Sequence, residues 1–423
     1  MNFQCDSPEE PLRVLIINSK SPVAKFLAVK ILSGEIFGKN QLIDIVLMVF
    51  TNEQSKATGL KFELEKCAFA CTNSIDISCN LPSISDADVF CLLTNFDNPN
   101  MLDFTKMSDD KALDMLDLII NVANNLHGSV QEVQAEETAQ KHEKHKKKTI
   151  LPEKKARKPI FITDGFVSIH ILMTLSNLPS DIFFCPTPIA PIAKSVLGEH
   201  LKVQSKVLNN VLVWAANDEI FHVEFEKPLI IEDRMGEASP CDRETVGKNV
   251  LALMNLDHTQ FSSSWLKKDL IAKTVAVARK NPYGSIYKAA SIAKALHQIW
   301  WARLTNATLY TNMGVISDGS LETIKGCPYV LPIEFSGDTW TVNKRFQEDV
   351  YLKQEIKRIN KAVKGFHEKA SIFLIYGLIV ASDSDGISLI QFCKKLLLEW
   401  GGSSLLAVEE EESQEETGNL LQI

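Results

Sequence analysis

Short apolar runs alternate with longer amphipathic segments along the first half of the chain. Three runs, Leu12–Ile17, Ile43–Phe50 and Asp88–Leu93, are rich in aliphatic residues, as is typical of parallel strands buried on both faces. The segments that follow the first two, Pro22–Gly34 and Lys56–Ala70, have helical spacing, and proline suits the first turn of a helix. This alternation predicts a doubly wound α/β sheet.

The rest of the chain mixes further strands with long helices. Strands are predicted at Pro159–Thr163, Asn210–Ala215, Phe221–Phe225, Tyr310–Ile316, Tyr329–Phe335 and Thr339–Val342. Helices are predicted at Ser108–Leu126, Trp265–Arg279, Ile286–Trp301 and Phe346–Phe373.

Two stretches break this pattern because they offer almost nothing that a core could bury. Residues 131–158 are predicted to form an exposed insertion, disordered or a frayed helix, and the acidic stretch Glu409–Ile423 is predicted to be disordered. The basic part, Lys141–Lys158, could bind an acidic protein surface, nucleic acid or anionic lipid, or act as a nuclear import signal. The alternative interpretation is a solvated linker without a partner.

Composition narrows the class of protein. The 423 residues, 45% of them hydrophobic, suffice for two fused domains, and the net charge of −8 argues against general nucleic-acid binding. Nine scattered cysteines without zinc-ribbon spacing indicate reduced cytosolic thiols and predict no metal site. The acidic N-terminal stretch is expected to be neither a signal nor a transit peptide, and the longest apolar run, Ile372–Ala381, is too short to cross a bilayer. We therefore expect a soluble, cytoplasmic protein.

Several ordered motifs carry a family resemblance. They are MGVISDG at Met313–Gly319, YVLPIEFSGDTWTV at Tyr329–Val342, SWLKKDL at Ser264–Leu270, the helix that ends in HQIWWA, and the N-terminal stretches EPLRVLI, GEIFGKNQ and ELEKCA. Over roughly residues 10–128 and 159–374 the chain resembles the cytosolic-type malate dehydrogenases of the lactate/malate dehydrogenase superfamily, and among these the divergent 1B-like group.

The resemblance implies a division of the chain. It implies a Rossmann-type domain over residues 10–175, interrupted by the insertion at about 129–158, and a mixed α/β substrate-type domain over residues 176–374. Residues 375–423 form an additional extension. The family reaction is the NAD-dependent interconversion of malate and oxaloacetate, and the family usually forms homodimers.

The family's cofactor positions are degenerate in this chain. A dinucleotide needs glycines in the turn after the first strand, so that the backbone can approach the pyrophosphate. The family pattern G-x-x-G-x-x-A falls on Asn18, Ser21 and Ala24, and the carboxylate that holds the ribose hydroxyls falls on Val49, followed by Phe50. We therefore predict weak or absent NAD binding and no other cofactor. An ordinary strand–helix turn that never held a nucleotide explains the same residues.

The catalytic positions that the resemblance implies are also changed. The family's histidine, three residues after a tryptophan, falls on Asn217, which cannot carry a proton at neutral pH. Its aspartate and second substrate arginine fall on Ile189 and Ile192, or with a small gap on the equally inert Ala190 and Ala193. His222 is the nearest alternative base. Because it lies in a strand of alternating polar and apolar residues, it is expected to be a structural residue on one strand face and not a displaced catalytic base.

The substrate clamp is missing in the same way. The loop from Thr94 to Met101, where the family carries two arginines, contains no cation, and the family's substrate asparagine falls on Asp164, a carboxylate that would repel a dicarboxylate. We therefore predict a non-catalytic homologue with a binding or scaffold role, forming a homodimer or a heterodimer with an active malate dehydrogenase. The alternative is an NAD-dependent oxidoreductase with an altered site.

Overall fold

A computed structural model describes residues 10–50, 53–94, 96, 99–100, 114–128, 157–201, 204–208, 211–225, 265–278, 284–305, 307–345 and 347–382. The predicted insertion, apart from Arg157 and Lys158, and the acidic stretch at Glu409–Ile423 lie outside these residues.

Eleven strands in the described part of the chain form one sheet. They are β1 Leu12–Ile17, β2 Ile43–Met48, β3 Thr72–Ser78, β4 Val89–Leu92, β5 Ile160–Thr163, β6 Phe183–Cys185, β7 Val211–Ala215, β8 Phe221–Phe225, β9 Leu309–Ile316, β10 Pro328–Ser336 and β11 Thr339–Val342. The helices are α1 Pro22–Leu32, α2 Gln54–Lys66, α3 at 114–128, α4 Phe166–Ser176, α5 Ile189–Leu201, α6 Trp265–Ala278, α7 Ser285–Thr305 and α8 Val350–Ser382. Short 3-10 turns lie at Ile84–Asp86, Ser180–Ile182, Ser205–Val207 and Ser320–Glu322.

Six parallel strands stand in the order β3-β2-β1-β4-β5-β6, and this is the strand order of a Rossmann sheet. The antiparallel strand β9 pairs with β6 and continues the sheet into β10, β7 and β8, while β11 pairs with β10. The sheet therefore runs without a break past the domain boundary predicted at residues 175–176, which stays a prediction.

Helices cover the sheet on both faces because the parallel strands are apolar on both faces. In β1, Leu15 and Ile17 point into a core with α3, α4 and α5, whereas Val14 and Ile16 point into a second core with α1, α7 and α8. Within the described residues, no helix is both long and apolar enough to cross a membrane.

One part of the predicted order is wrong. The strand predicted as the third is the fourth along the chain, because β3 lies between α2 and it. Only Ile75 of β3 is fully buried, and the strand stands at the edge of the sheet. It therefore lacks the continuous apolar run that marked its neighbours. Strand β6 and helices α4 and α5 were not predicted either.

Candidate functional site

The turn between β1 and α1 lies where the order of the parallel strands reverses, since β1 pairs with β2 on one side and with β4 on the other. Crevices at this point of a doubly wound sheet are where such folds bind ligands. Asn18 adopts the left-handed conformation there, with φ of 63°. Ser21 caps α1 by accepting a bond from Val23 N at 3.4 Å, Pro22 follows it, and Ala24 is fully buried.

The Asn18 side chain crosses this crevice. Its Nδ2 donates to the carbonyl oxygen of Leu93, just after β4, at 2.7 Å, and lies 3.9 Å from the Met115 sulfur of α3. The Asn18 Oδ1 is buried without a hydrogen-bond partner among the described residues. An asparagine that bridges β1 and β4 takes the space that a glycine leaves open for a pyrophosphate. The left-handed turn at Asn18 is thus present together with an Asn18 side chain that enters the crevice.

The end of β2 offers nothing to a ribose. Val49 is buried, and its neighbour Phe50 is 38% exposed beneath the Lys20 ammonium, 5.6 Å from the ring centroid. Lys20 also forms an ion pair with Glu53 at 2.8 Å. The residues at the three dinucleotide positions, Asn18, Ser21 and Val49, therefore do not fit the cofactor.

Asn217 holds a tight turn between β7 and β8. Its Oδ1 accepts bonds from the backbone N–H of Glu219 and of Ile220, each at 2.9 Å. Such side-chain turns are a common use of asparagine. The residue at the family's histidine position is therefore committed to the backbone and carries no titratable group.

The next residue, Asp218, is one of two groups at the site that were not predicted from the sequence. It is buried, and both its carboxylate oxygens accept from Asn100 Nδ2, at 2.9 and 3.0 Å. The Asp218 pKa is raised to about 7, chiefly by burial; the bond from Asn100 lowers it and nearby Glu219 adds to the rise, and this value includes all three effects. A buried carboxyl that titrates near neutral pH thus adjoins the histidine position.

The same contact fixes the loop after β4. Asn100 Oδ1 accepts from Phe166 N at the start of α4, at 3.3 Å. A Cβ on Gly165 would lie 2.1 Å from the Pro99 carbonyl oxygen, so this approach requires glycine. The described part of the arginine-free loop therefore bonds to the protein itself.

Asp164, at the end of β5, is surrounded by hydrogen-bond donors and one ammonium group. Its oxygens accept from Thr94 N at 3.0 Å and from Thr94 Oγ1 at 2.8 Å, and Lys288 Nζ of α7 lies 3.4 Å away. Burial raises the Asp164 pKa, and Lys288 opposes that rise. The Thr94–Met101 loop itself carries no cation, but Lys288 reaches Asp164 from a helix 124 residues away in sequence.

A small pocket that is partly open to solvent adjoins this pair. Asp164, the turn between β6 and α5, and the first turns of α7, including Tyr287 and Lys288, line it. Burial raises the pKa of the Tyr287 phenol. Beneath the strand ends, burial raises the Cys185 pKa, and Asp218 and Asp164 raise it further. The two carboxyls, the thiol and the phenol therefore share one electrostatic environment.

The helix that should carry the family's acid and arginine is apolar. The four positions predicted as inert all face the protein interior at the start of α5: Ile189, Ala190, Ile192 and Ala193. They pack in the core shared with α3 and α4, and none of them lines the pocket. No group of three or more metal-ligating side chains occurs among the described residues.

His222 packs between β8 and α8. It is fully buried on β8, with Nε2 2.7 Å from Glu224 Oε1 and Nδ1 3.8 Å from Glu355 of α8. The arrangement agrees with a strand residue that anchors α8.

Sequence signals existed for one of the missed groups. Lys288 falls on the buried stripe of α7, four residues before the buried Ile292, where an aliphatic residue is usual. Asp218 had no such signal, because an aspartate next to an asparagine is an ordinary turn sequence.

Comparison with known proteins confirms the resemblance. No family model matches the chain. Two curated proteins named "Putative malate dehydrogenase 1B", from Bos taurus and Homo sapiens, are each 23% identical, over 78% and 82% of this chain. The chain spans 63% and 60% of their respective lengths. The cytoplasmic malate dehydrogenase of Gallus gallus is 24% identical over 86% of this chain and 98% of its own length.

Solved structures confirm the fold class. Malate dehydrogenase from Naegleria fowleri superposes with a TM-score of 0.62 at 12% identity, over 86% of this chain and 99% of its own. Lactate dehydrogenase from Trichomonas vaginalis superposes with a TM-score of 0.59 at 14% identity, over 87% and 99% of the two chains. The chain is thus similar in sequence to malate dehydrogenases and has a Rossmann-type α/β fold.

Proposed function

We propose that this protein is a non-catalytic malate dehydrogenase homologue that acts by binding. The observation that carries the proposal is the Asn18 side chain, which spans from β1 to the Leu93 carbonyl across the crevice where a dinucleotide would lie. A bound pyrophosphate would have to displace a buried polar bridge and would find no glycine turn to cradle it. The loss of a proton carrier at Asn217 supports the proposal independently.

The partner that we propose is a second copy of this chain or an active malate dehydrogenase, in the cytoplasm. This part rests on the likeness to the cytoplasmic enzymes. The basic stretch Lys141–Lys158 remains a proposed site for an acidic partner. Light scattering of the purified chain, alone and mixed with the active enzyme, distinguishes a homodimer, a heterodimer and a monomer.

A second candidate function has one observation in its favour. Asp218 adjoins the histidine position and titrates near pH 7, as a general acid or base requires. An oxidoreductase that uses Asp218 in place of histidine would be the altered enzyme of the alternative hypothesis. Its weakness is that Asn100 occupies both Asp218 oxygens.

Turnover separates the two functions. We expect no oxidation of NADH with oxaloacetate and no reduction of NAD with malate, and we expect Asn217→His not to restore either reaction, because the cofactor crevice and the clamp are unchanged. Absorbance at the NADH band measures both. Turnover near the usual enzymatic range, roughly 1–1000 per second, that disappears in Asp218→Asn would establish the alternative instead.

A further inference from the structure

Two histidines meet where α8 packs against α4. His170 lies in the middle of α4 and is only 1% exposed, whereas His367 of α8 is half-buried. His170 Nε2 lies 3.3 Å from His367 Nδ1, although 197 residues separate the two in sequence. Neither histidine is one of the positions that the family resemblance assigns to cofactor or substrate.

The contact between the two rings is a poor hydrogen bond. A distance of 3.3 Å between the nitrogens lies at the long end of hydrogen-bond lengths. The ring centroids are 5.1 Å apart, and the ring planes are inclined by 80°. Two rings placed end to end across the same gap would have centroids farther apart, so the ring axes are not collinear. The contact is therefore both long and bent, and each property weakens a hydrogen bond.

The same separation suits two ligands of one tetrahedral metal ion. Zinc binds imidazole nitrogen at about 2.0–2.1 Å with tetrahedral geometry, so two nitrogens on one zinc ion lie about 3.3–3.4 Å apart. Two nitrogens at right angles, as in a square-planar site, would be only about 2.9 Å apart at the same bond length. The observed 3.3 Å therefore favours a tetrahedral ion such as Zn²⁺.

The surroundings of the pair predict a weak and reversible site. Either nitrogen of a neutral imidazole can bind a metal ion. The described residues contain no group of three or more metal-ligating side chains, so water from the half-buried His367 side must supply the other two ligands. His170 Nδ1 is buried without a hydrogen-bond partner among the described residues, so no outer group strengthens this ligand.

We propose that His170 Nε2 and His367 Nδ1 bind a Zn²⁺ ion, with water completing the tetrahedral coordination, and that this ion connects α8 to α4. The proposal goes beyond the function proposed above and does not depend on it. Two of four ligands should supply about half of the binding free energy of a four-ligand zinc site, which corresponds to a Kd of roughly 1–200 µM. We expect a Kd in the weaker part of this range, because the outer hydrogen bond is missing.

Calorimetric titration of the full chain with Zn²⁺ tests the site. The starting protein carries His142→Ala and His145→Ala, because these histidines of the basic stretch are a separate pair in sequence. We expect His367→Ala, which removes the half-buried ligand, to weaken Zn²⁺ binding at least tenfold. The matched control is His297→Ala, which removes a surface histidine of α7 and should leave the affinity unchanged. Equal affinity with and without His367, or no Zn²⁺ binding at millimolar concentration, overturns the proposal.

Cobalt(II) reports the geometry of the same site. Tetrahedral Co²⁺ absorbs visible light much more strongly than octahedral Co²⁺. We expect visible bands of tetrahedral strength that disappear in His367→Ala and on addition of Zn²⁺. Bands of octahedral strength, or bands that are unchanged in His367→Ala, overturn the proposal.

Unfolding in urea tests whether the ion connects the two helices. An ion that binds only the folded chain, at ten times its Kd, raises the folding equilibrium constant about elevenfold. We expect this rise in the starting protein, its reversal by a chelator, and no rise in His367→Ala or His170→Gln. If His170→Gln does not fold, the variant of the half-buried His367 decides. An equal rise with and without His367 overturns the proposal, and it leaves the non-catalytic function untouched because no nucleotide or turnover enters the measurement.

Discussion

Two regions at the carboxyl edge of the parallel strands, one at β1–β4 and one at β5–β6, differ in how their space is filled. At the β1–β4 crevice, Asn18 donates to a backbone carbonyl and Val49 packs inward, so neutral groups close the gap. At the β5–β6 end, Asp164, Asp218 and Lys288 are all buried, and a pocket remains beside them.

This difference teaches where binding capacity persists in a fold. A crevice that is closed by a neutral hydrogen bond offers a ligand no charged partner, although Asn18 Oδ1 stays buried without a hydrogen-bond partner among the described residues. Buried charges are costly even when they are paired, and they make local stability depend on pH and on neighbouring anions or cations. The experiments therefore act mainly on the charged region at β5–β6 and use the neutral region at β1–β4 as a contrast.

Replacing Asp218 by asparagine should have the largest effect. The folded pKa of about 7 exceeds the ordinary 3.8, so the folded state keeps a proton that the unfolded chain releases. The free energy of unfolding therefore falls as pH rises from about 4 to about 7 and levels off above, by on the order of 4 kcal/mol from this one group. Asp218→Asn should remove that slope, measured by urea unfolding across this pH range.

Asp164 also has a raised pKa and contributes in the same direction, so only the difference between wild type and variant reports Asp218. An identical pH slope in both proteins would show that Asp218 is solvated and ionised in the folded state. It would also remove the observation that favours the altered enzyme.

The sequence predicted the centre of this sheet better than its edge or its site. Strands β1 and β2 can be predicted from the sequence because burial on both faces requires runs of aliphatic residues. Strand β3 alternates polar and apolar residues at an edge and was missed. The changed positions Asn18 and Asn217 followed from the family resemblance, since they lie in local turns that a motif can locate.

The charged contacts could not be predicted in the same way. Asn100 and Asp218 are 118 residues apart, and Lys288 and Asp164 are 124 apart. Neither pair has a local pattern, because each contact exists only after the sheet has brought distant strand ends together. Burial, which makes these groups unusual, is likewise a property of the packed molecule.

Replacing Gly165 by alanine should have the next largest effect. The added Cβ would lie 2.1 Å from the Pro99 carbonyl oxygen, so backbone must move and the Asn100–Asp218 contact must loosen. We expect a loss of about 1–3 kcal/mol in the free energy of unfolding, as for overpacking elsewhere. Gly59→Ala in α2 is the matched control, because its Cβ meets nothing within 4 Å.

The control should gain up to about 1 kcal/mol, the usual advantage of alanine over glycine within a helix. Equal effects of Gly165→Ala and Gly59→Ala would mean that the loop after β4 does not pack against α4.

Replacing Asn18 by glycine should have the smallest effect on stability. This substitution tests the neutral region at β1–β4. Glycine relieves the left-handed conformation at φ of 63° but removes the 2.7 Å bond to Leu93. The two contributions, each about 1 kcal/mol, should nearly cancel. Asn177→Gly is the matched control: Asn177 caps α4 at φ of 55° with an exposed side chain, so it should gain up to about 1 kcal/mol. The difference between the two variants measures the bridge across the crevice. NADH should still not bind to Asn18→Gly in a calorimetric titration, because Ser21 and Val49 remain. Micromolar NADH affinity in that variant would show that Asn18 alone closes an otherwise competent cofactor site.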